Sequence, residues 1–517
     1  MRAREELTSA AAVISVANKY SDSKALRRVI ELAYRSGARA VVVQELQSDE
    51  QFDSEVRDLQ KRGEPGYSKP ARRLDFVLEN GASAVHFGYA IIRPDARGTV
   101  LRAVVPPPPE NPGSYLTCSH DWDCDTSGLE DMVIGTSKIH SCSFTQQDGN
   151  TGVCAHACLH SVSRALHARF DSDILSFSQI SDFMEHDEPR DGLSFGEMKR
   201  VLESLGCEVL EVRTGTAAEP QDADSESAEK LGGEHNDEDR ELSRARREPF
   251  FADELIYHYV ESELPVIVGI ASEPYHHTFF VVGHSFDRDA WWPEAESDYY
   301  PSLSTRHPYV ISSLWATSYY IQDDNYGPYM SMPRDVARAR VDWILVPLPK
   351  SMNCRLKAEE VEPYVAFTLY DEKMIEVVEA DANTCPWKWE LAERQRERRV
   401  LLRTLIVKGE NLRESLTSAA CTYSDDIKER YRKLEMPGWV WVVEVTAASF
   451  YAATMTKLGE VILDPGADRI DNFSAVISMH LPGMFWERPG ENDYEYVDGD
   501  NPSVLYSRKS FSEHAKI

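Results

Sequence analysis

Residues 146–158 have the sequence QQDGNTGVCAHAC, which places a glutamine, two glycines and a cysteine directly before an expected helix. From Ala155 to Phe170 the chain contains neither Gly nor Pro. Within this segment the residues at helical spacing are Cys158, Val162, Ala165 and Leu166. The pattern therefore predicts a helix with Cys154 in its first turn.

Cys154 at such a position is suited to nucleophilic chemistry. A thiol attacks a carbonyl as thiolate, so a reactive site must lower the cysteine pKa from its free value of about 8.5. The positive end of a helix favours the thiolate, and so does a neighbouring imidazolium. By contrast, Cys158 lies one turn later on the apolar face, where we expect it to pack in the core.

Two further side chains downstream complete a set of catalytic groups. His277 precedes the apolar run at 278–282, and Asp324 lies before Gly327. His277 can pair with the thiolate and later protonate a leaving amine, while Asp324 orients the imidazole. The Gln147 amide and the Cys154 backbone N–H can donate to the oxyanion of a tetrahedral intermediate.

Each of the two downstream residues has a neighbour of the same type. His276 could replace His277, and Asp323 could replace Asp324. Adjacent residues of an extended strand point to opposite faces, so one member of each pair can face the thiol.

The residues from about 110 to 350 resemble the papain-like superfamily of cysteine peptidases. His277, an apolar strand and Gly283 six residues later resemble the histidine strand of that superfamily. The run of residues 324–327, Asp-Asn-Tyr-Gly, resembles its Asn-x-Trp-Gly turn, with Asp in place of Asn. These spacings favour His277 and Asp324 over their neighbours.

The spacing from Gln147 to Cys154 resembles more closely the bacteriocin-processing peptidase domains of ABC exporters, which also use an Asp as third residue. The residues that carry this likeness after the nucleophile are Ala157, Cys158 and Leu159. The chain departs from that pattern at Ala155, where the domains have Gly, and in a long insertion before Asp324. The resemblance implies an α+β fold in which a helix carrying the Cys packs on an antiparallel sheet carrying the His and Asp. It also implies thiol hydrolysis without a cofactor.

Three domains are expected from the composition along the chain. The first, residues 1–105, is predicted as an α/β unit. Its elements are a helix near Lys24–Tyr34, a strand at Ala40–Gln44 and a hairpin formed by Ala84–Arg93 and Thr99–Val105. Pro106–Pro109 ends this unit, and the papain-like domain is placed at 110–350, with Val341–Pro349 as its last strand.

Two insertions interrupt the expected catalytic domain. Residues 214–248 are rich in Ala, Ser, Gly and acidic residues, which predicts a disordered acidic segment. Residues 287–318 carry aromatic side chains that we expect mainly to pack in the core, namely Trp291, Trp292, Tyr299, Tyr300 and Trp315.

Residues 351–517 are predicted to form a separate α+β domain of unknown role. Helices are expected near Leu391–Leu405 and Asp425–Leu434. Strands are expected near Trp439–Val445 and Glu460–Leu463.

Charge and composition limit the partners. A formal net charge of −30 disfavours nucleic acid and anionic membranes, since both require a basic face. No run of about 18 apolar residues predicts a transmembrane helix. Nine scattered cysteines fit reduced thiols, so a cytoplasmic location is expected.

A zinc site was weighed at five residues and is not expected. Cysteines and histidines, the residue types that commonly bind zinc, occur close together at Cys118, His120, Cys124, His140 and Cys142. However, Cys-x-His-x-x-x-Cys is not a common structural zinc spacing. We therefore expect no metal.

The sequence as a whole predicts a cysteine peptidase that hydrolyses peptide or isopeptide bonds in a protein or peptide substrate. One alternative is a transglutaminase-like or amine acyltransferase that uses the same acyl-enzyme. Another is an inactive papain-like scaffold that acts as a binding protein. A regulatory protein partner at the flanking domains or the acidic insertion is a further option that the residues leave open.

Overall fold

The computed structural model describes residues 2–506 with several gaps. The gaps are 47, 62–66, 68, 81–82, 96, 109–114, 125–136, 148–152, 186–191, 215–249, 273–274, 288–308, 381–384, 471–472, 489–494 and 497–501. The predicted acidic segment at 214–248 lies almost entirely outside the described residues, and so do Trp291, Trp292, Tyr299 and Tyr300. The described chain is mixed α and β, with three larger sheets and two small ones.

The first sheet has five antiparallel strands in the order β1-β2-β3-β4-β5. They are β1 (Arg2–Glu6), β2 (Ala40–Glu45), β3 (Arg72–Asn80), β4 (Ser83–Ile92) and β5 (Val100–Val104). The helices of this region are α1 (Ala10–Tyr20), α2 (Lys24–Ser36) and α3 (Glu50–Lys61). The expected helix near Lys24, strand at Ala40 and β4–β5 hairpin are confirmed.

The middle of the chain builds a second sheet, with every pairing antiparallel. The first elements after β5 are β6 (Tyr115–Leu116), the hairpin of β7 (His120–Cys124) and β8 (Ser137–Ser141), then α4 (Cys154–Phe170), α5 (Phe177–Ser181), α6 (Phe195–Ser204) and β9 (Cys207–Arg213). Then come α7 (Ala252–Glu261), β10 (Val266–Ser272), β11 (Tyr275–His284), β12 (Val310–Ile311), β13 (Ser318–Asp323), β14 (Gly327–Pro333), α8 (Arg334–Arg340) and β15 (Val341–Pro349). The sheet order is β14-β13-β11-β10-β15-β9, and β6 pairs with β11.

The C-terminal part forms a third sheet that begins with a strand from the middle of the chain. Its helices are α9 (Ala358–Leu369), α10 (Glu372–Glu379), α11 (Pro386–Arg396), α12 (Gly409–Thr417), α13 (Asp425–Lys433) and α14 (Ala448–Ala453). Its strands are β16 (Leu401–Lys408), β17 (Trp439–Thr446), β18 (Thr456–Lys457), β19 (Gly459–Leu463), β20 (Val476–Leu481), β21 (Met484–Glu487), β22 (Glu495–Tyr496) and β23 (Ser503–Val504). The sheet order is β12-β16-β17-β19-β20-β21-β22, while β18 pairs with β23.

One face of the second sheet packs on α4. Alternate residues of a strand point to opposite faces, and Phe280 and Val282 of β11 share a core with Leu159 and Val162 of α4. That core continues through the first two helices into the first sheet. The helix predicted over 155–170 is thereby confirmed, and Cys158 lies in the core as expected.

The opposite face of the second sheet packs on α7 and the third sheet. Phe279 and Val281 of β11 join one core with Ile256 of α7 and with Trp441 and Val443 of β17. The second sheet is thus covered on both sides. The expected domain boundaries near 105–110 and 350 stay predictions.

The helix expected over Leu391–Leu405 is wrong in its second half. The helix α11 ends at Arg396, and residues 401–408 form the buried strand β16. The charges between Glu393 and Arg399 suggested one solvated helix. The run Leu-Leu-Arg-Thr-Leu-Ile-Val is instead buried along its length, as a central strand requires.

None of the helices in the described ranges combines the length and the apolarity needed to cross a lipid bilayer.

Candidate active site

Cys154 is the first residue of α4. The preceding Val153 has extended backbone (φ −113°, ψ −175°), and its N–H donates to Nδ1 of His156 at 3.4 Å. The first N–H groups of a helix have no partner within the helix and give this end a partial positive charge. The thiol of Cys154 is half-buried at this positive end.

His277 lies on β11, the strand against which α4 packs. Its side chain is about a quarter exposed, and its imidazole is close enough to the Cys154 thiol for this contact to raise the pKa of the imidazole. The side chain of His276 is outside the described set. The structure therefore brings Cys154 and His277 together through the contact between α4 and β11.

Asp323 and Asp324 lie where β13 ends and the chain turns into β14. Oδ1 of Asp323 is 3.3 Å from Nε2 of His277, and Oδ1 of Asp324 is 3.7 Å from the same nitrogen. Asp323 Oδ1 also accepts from the backbone N–H groups of Asn325 and Tyr326, at 2.9 and 3.2 Å. Asp323 thus holds the turn, whereas the carboxylate of Asp324 has no aligned hydrogen-bond partner among the described residues.

The two carboxylates and the thiol change the proton affinity of His277. Burial by itself would lower the pKa of this imidazole, but the contacts with Asp323 and Cys154 and the charge of Asp324 outweigh burial and raise the pKa to about 10. The charged imidazolium is therefore favoured, and an imidazolium stabilises a neighbouring thiolate.

For Asp324, the effect of burial on the pKa exceeds the effect of the neighbouring charge. Its burial raises the pKa of its carboxyl group to about 7, although the charge of His277 acts to lower that pKa. The repulsion of Asp323 adds to the rise. A shift of this kind in a cleft residue with a specific charge partner is typical of functional sites.

Gln147 lies beside the aspartate turn. Its Nε2 donates to Oδ1 of Asn325 at 3.2 Å, and this is the contact that the structure gives it. The residues that link Gln147 to Val153 lie in the gap at 148–152. The adjacent Gln146 is structural, because its Oε1 accepts from Ser23 and from the N–H of Val100.

Gln322 was not identified by the sequence analysis. It is buried on β13, and neither polar atom of its amide has an aligned partner among the described residues. With Cys154 and Asp324 it lines a cavity that leaves about 10 Å³ for the centre of a water molecule. The available signal was its position near the end of β13, two residues before Asp324.

The five residues weighed as zinc ligands do not gather at one point of the described structure. Cys118 and Cys142 share a core, while Cys124 belongs to another. His140 is paired with Asp121, whose Oδ1 lies 2.8 Å from Nδ1. The ligand atoms that do approach one another, within 4.8 Å, belong to His277, Asp323 and Asp324.

Of the five aromatic residues that the sequence analysis expects in the core of the second insertion, Trp315 lies within the described residues. It is buried against Tyr451, with ring centroids 5.1 Å apart, as expected for core packing.

Comparison of the chain with models of protein families, with curated proteins and with solved structures gives no match.

Proposed function

We propose that this protein is a cysteine peptidase of papain-like architecture that hydrolyses peptide or isopeptide bonds. The observation that carries the proposal is the contact of Cys154, at the start of α4, with an imidazole that two carboxylates approach. A helix carrying the thiol and an antiparallel sheet carrying the imidazole and the carboxylates support the papain-like arrangement.

In the first half of the proposed reaction the Cys154 thiolate attacks the scissile carbonyl carbon. The carbonyl oxygen then takes up the negative charge, and the backbone N–H of Cys154 and the amide of Gln147 donate to it. The intermediate collapses when the C–N bond breaks and the imidazolium of His277 gives its proton to the leaving amine.

In the second half His277 accepts a proton from water as that water attacks the thioester. The S–C bond breaks, and the acid product and the thiol are released. Asp324 is proposed to orient the imidazole, because its carboxylate lies 3.7 Å from Nε2 and accepts no hydrogen bond from the other described residues. Asp323 is instead committed to the turn.

The first test is the reactivity of Cys154 toward substoichiometric iodoacetamide at mildly acidic pH, mapped by mass spectrometry. Cys385 is a matched internal control, since it also stands at the start of a helix and is also half-buried. We expect Cys154 to be labelled at least about tenfold faster than Cys385, because His277 adds an imidazolium to the effect of the helix end. His277→Ala should remove that advantage.

Equal labelling of Cys154 and Cys385 in the native protein would refute an activated thiolate and favour the inactive scaffold. Once the thiol is shown to be reactive, a labelled primary amine separates the two enzymatic options. Incorporation of that amine into an acyl donor would identify an acyltransferase, whereas hydrolysis without incorporation supports a peptidase.

A further inference from the structure

The proposed mechanism leaves one carboxylate at the site unexplained. An imidazole that acts as base and acid requires one orienting group. Here the two carboxylates of Asp323 and Asp324 both lie within 4 Å of the same nitrogen, Nε2 of His277.

Asp324 in particular is buried without a hydrogen bond among the described residues. Its side chain is 4% exposed, and both of its oxygens lack an aligned hydrogen-bond partner among the described residues. Nε2 of His277 is in the same state. A buried charge is normally paired and hydrogen-bonded or coordinates a metal ion, because leaving it unsatisfied costs several kcal/mol.

The spacing of these atoms matches a metal coordination shell. The nitrogen of His277 and one oxygen from each aspartate all lie within 4.8 Å of one another. Zinc binds nitrogen and oxygen at about 2.0–2.2 Å in tetrahedral geometry, which separates its ligand atoms by roughly 3.4 Å. The observed separations are 3.3 and 3.7 Å from the nitrogen to the two oxygens.

The surroundings of His277, Asp323 and Asp324 also suit metal binding. The backbone N–H groups of Asn325 and Tyr326 hold Oδ1 of Asp323 in place, as outer contacts commonly do for metal-binding carboxylates. The side chain of His277 is about a quarter exposed, so the three residues lie near the protein surface.

We propose that His277 Nε2, Asp323 and Asp324 bind one Zn²⁺ ion, and that the bound ion switches the thiol site off. An imidazole ligand favours zinc over magnesium and calcium, which prefer oxygen ligands throughout. Zinc binding by these three residues does not depend on the proposed peptidase function, whereas inhibition of the thiol site by zinc rests on that proposed function.

The inhibition follows from the two nitrogens of one ring. Zinc takes the lone pair of Nε2, and a neutral imidazole then carries its single proton on Nδ1. Such a ring donates from Nδ1 but has no lone pair left to accept the thiol proton. The Cys154 sulfur is not one of the ligand atoms that lie within 4.8 Å of one another. The thiol therefore loses the imidazolium that would stabilise its thiolate, and it does not bind the metal.

The test is a zinc titration of metal-free protein in competition with a chromophoric chelator. We expect one ion per chain, and an affinity that falls at least about tenfold in Asp324→Asn and in His277→Gln. Cys154→Ser should keep its zinc affinity, and cobalt(II) in place of zinc should show no thiolate charge-transfer band. Asp121→Asn is the matched control, since Asp121 forms an aspartate–histidine pair with His140 outside the proposed ligand set.

Equal affinities in the native protein, Asp324→Asn and His277→Gln would show adventitious surface binding and overturn the site. Loss of binding in Cys154→Ser, or a thiolate band with cobalt, would overturn the three-ligand assignment.

Iodoacetamide labelling with and without zinc separates the two proposals. Labelling of Cys154 that is fast without metal and at least about tenfold slower with zinc supports both. If zinc binds and Cys154 is unreactive even without metal, the peptidase proposal fails and the metal site stands. If Cys154 is reactive and zinc neither binds nor slows it, the metal proposal alone fails.

Discussion

Asp323 and Asp324 are chemically identical neighbours with opposite surroundings. The first accepts two backbone N–H groups, whereas the second is buried and accepts no aligned hydrogen bond from the described residues. The cost of burying a charge without a hydrogen bond falls on Asp324, and stability is commonly lost in this way where a site is built for chemistry.

The two aspartates should therefore respond differently to substitution. Asp324→Asn should raise the free energy of unfolding by about 1–3 kcal/mol, because the cost of burying this charge exceeds what the His277 charge returns. The same change should slow the labelling of Cys154. Urea denaturation at neutral pH in the presence of a chelator measures the stability, and the chelator keeps metal binding out of the comparison.

Asp323→Ala is the contrasting variant. It should lower the free energy of unfolding by about 1–2 kcal/mol, since two backbone N–H groups lose their acceptor. Destabilisation by both variants would show that Asp324 has stabilising partners and would contradict its assignment as the strained member of the pair.

A histidine away from the site gives a prediction for pH. His160 is buried in α4, where Nδ1 donates to the carbonyl of Leu175 at 2.6 Å and Nε2 accepts from Nε of Arg164 at 3.0 Å. Burial, together with the charge of Arg164, lowers the pKa of His160 to about 3. The folded protein therefore keeps this ring neutral at pH values where the unfolded chain protonates it.

The free energy of unfolding should consequently fall as the pH drops below about 6.5, because His160 then binds a proton in the unfolded state but not in the folded state. Between pH 6 and 4 this group should account for a loss of about 2 kcal/mol. His160→Gln should make the pH dependence shallower by about one proton over that range. The same substitution at the exposed His167 of α4 is the control, and equal slopes for the two variants would refute the assignment to His160.

The sequence identified the chemical groups of the site but not their arrangement. Cys154 and His277 were accessible because helix and strand periodicity are local signals. The relation between Asp323 and Asp324 depends on the turn after β13, and the burial of Gln322 depends on its contact with α4. Such contacts between distant segments are not encoded in local periodicity.

Among the elements, the pairing of β6 with β11 depends on Gly283. A Cβ at this position would lie 2.1 Å from the carbonyl oxygen of Tyr115, which is closer than real contacts allow. The glycine that contributed to the family resemblance thus has a packing role, because it lets the short strand β6 approach.

Gly283→Ala should lower the free energy of unfolding by about 1–3 kcal/mol through displacement of β6. Gly196→Ala in α6 is a matched control, since its Cβ would meet no atom within 4 Å. That variant should instead gain about 0.5–1 kcal/mol from helix propensity. Thermal denaturation of the two proteins compares them, and an equal effect would show that the contact with Tyr115 does not govern the response.

Segments with regular apolar patterns were predicted well at the level of elements. The strand at 341–349 and the strand starting at Trp439 were confirmed. The helix predicted over 391–405 was not confirmed beyond Arg396, since the charged residues from Glu393 to Arg399 suggested one solvated helix. The structure buries Arg403 because its partners come from other strands and from α7.

Across the whole molecule, a row of buried ionic residues connects the second and third sheets. Arg403, Glu444, Glu460 and His480 are direct neighbours on four successive strands of the third sheet. Arg403 also reaches Glu261 of α7, with Nε 2.6 Å from Oε1. The ion pair of Arg403 with Glu261 therefore joins the third sheet to α7, which packs on the second sheet.

Arg403→Met should lower the free energy of unfolding by about 3–5 kcal/mol, because Glu261 and Glu444 both lose a buried cation. Chemical denaturation followed by tryptophan fluorescence and by circular dichroism measures the shift. The exposed Arg396, paired with Glu379, is the control, and its replacement by Met should leave the midpoint almost unchanged. A small effect at Arg403 would show that the remaining partners of the two glutamates, Lys457 for Glu444 and His284 for Glu261, are sufficient.

The core that joins β11 to β17 has a consequence for the order of synthesis. A ribosome releases α7 and β12 long before β16 and β17, which cover α7 and extend the edge at β12. During that interval the nascent chain exposes apolar surface and an unpaired strand edge, both of which promote aggregation. Productive folding therefore requires α7 and β12 to stay soluble until β16 and β17 have been translated.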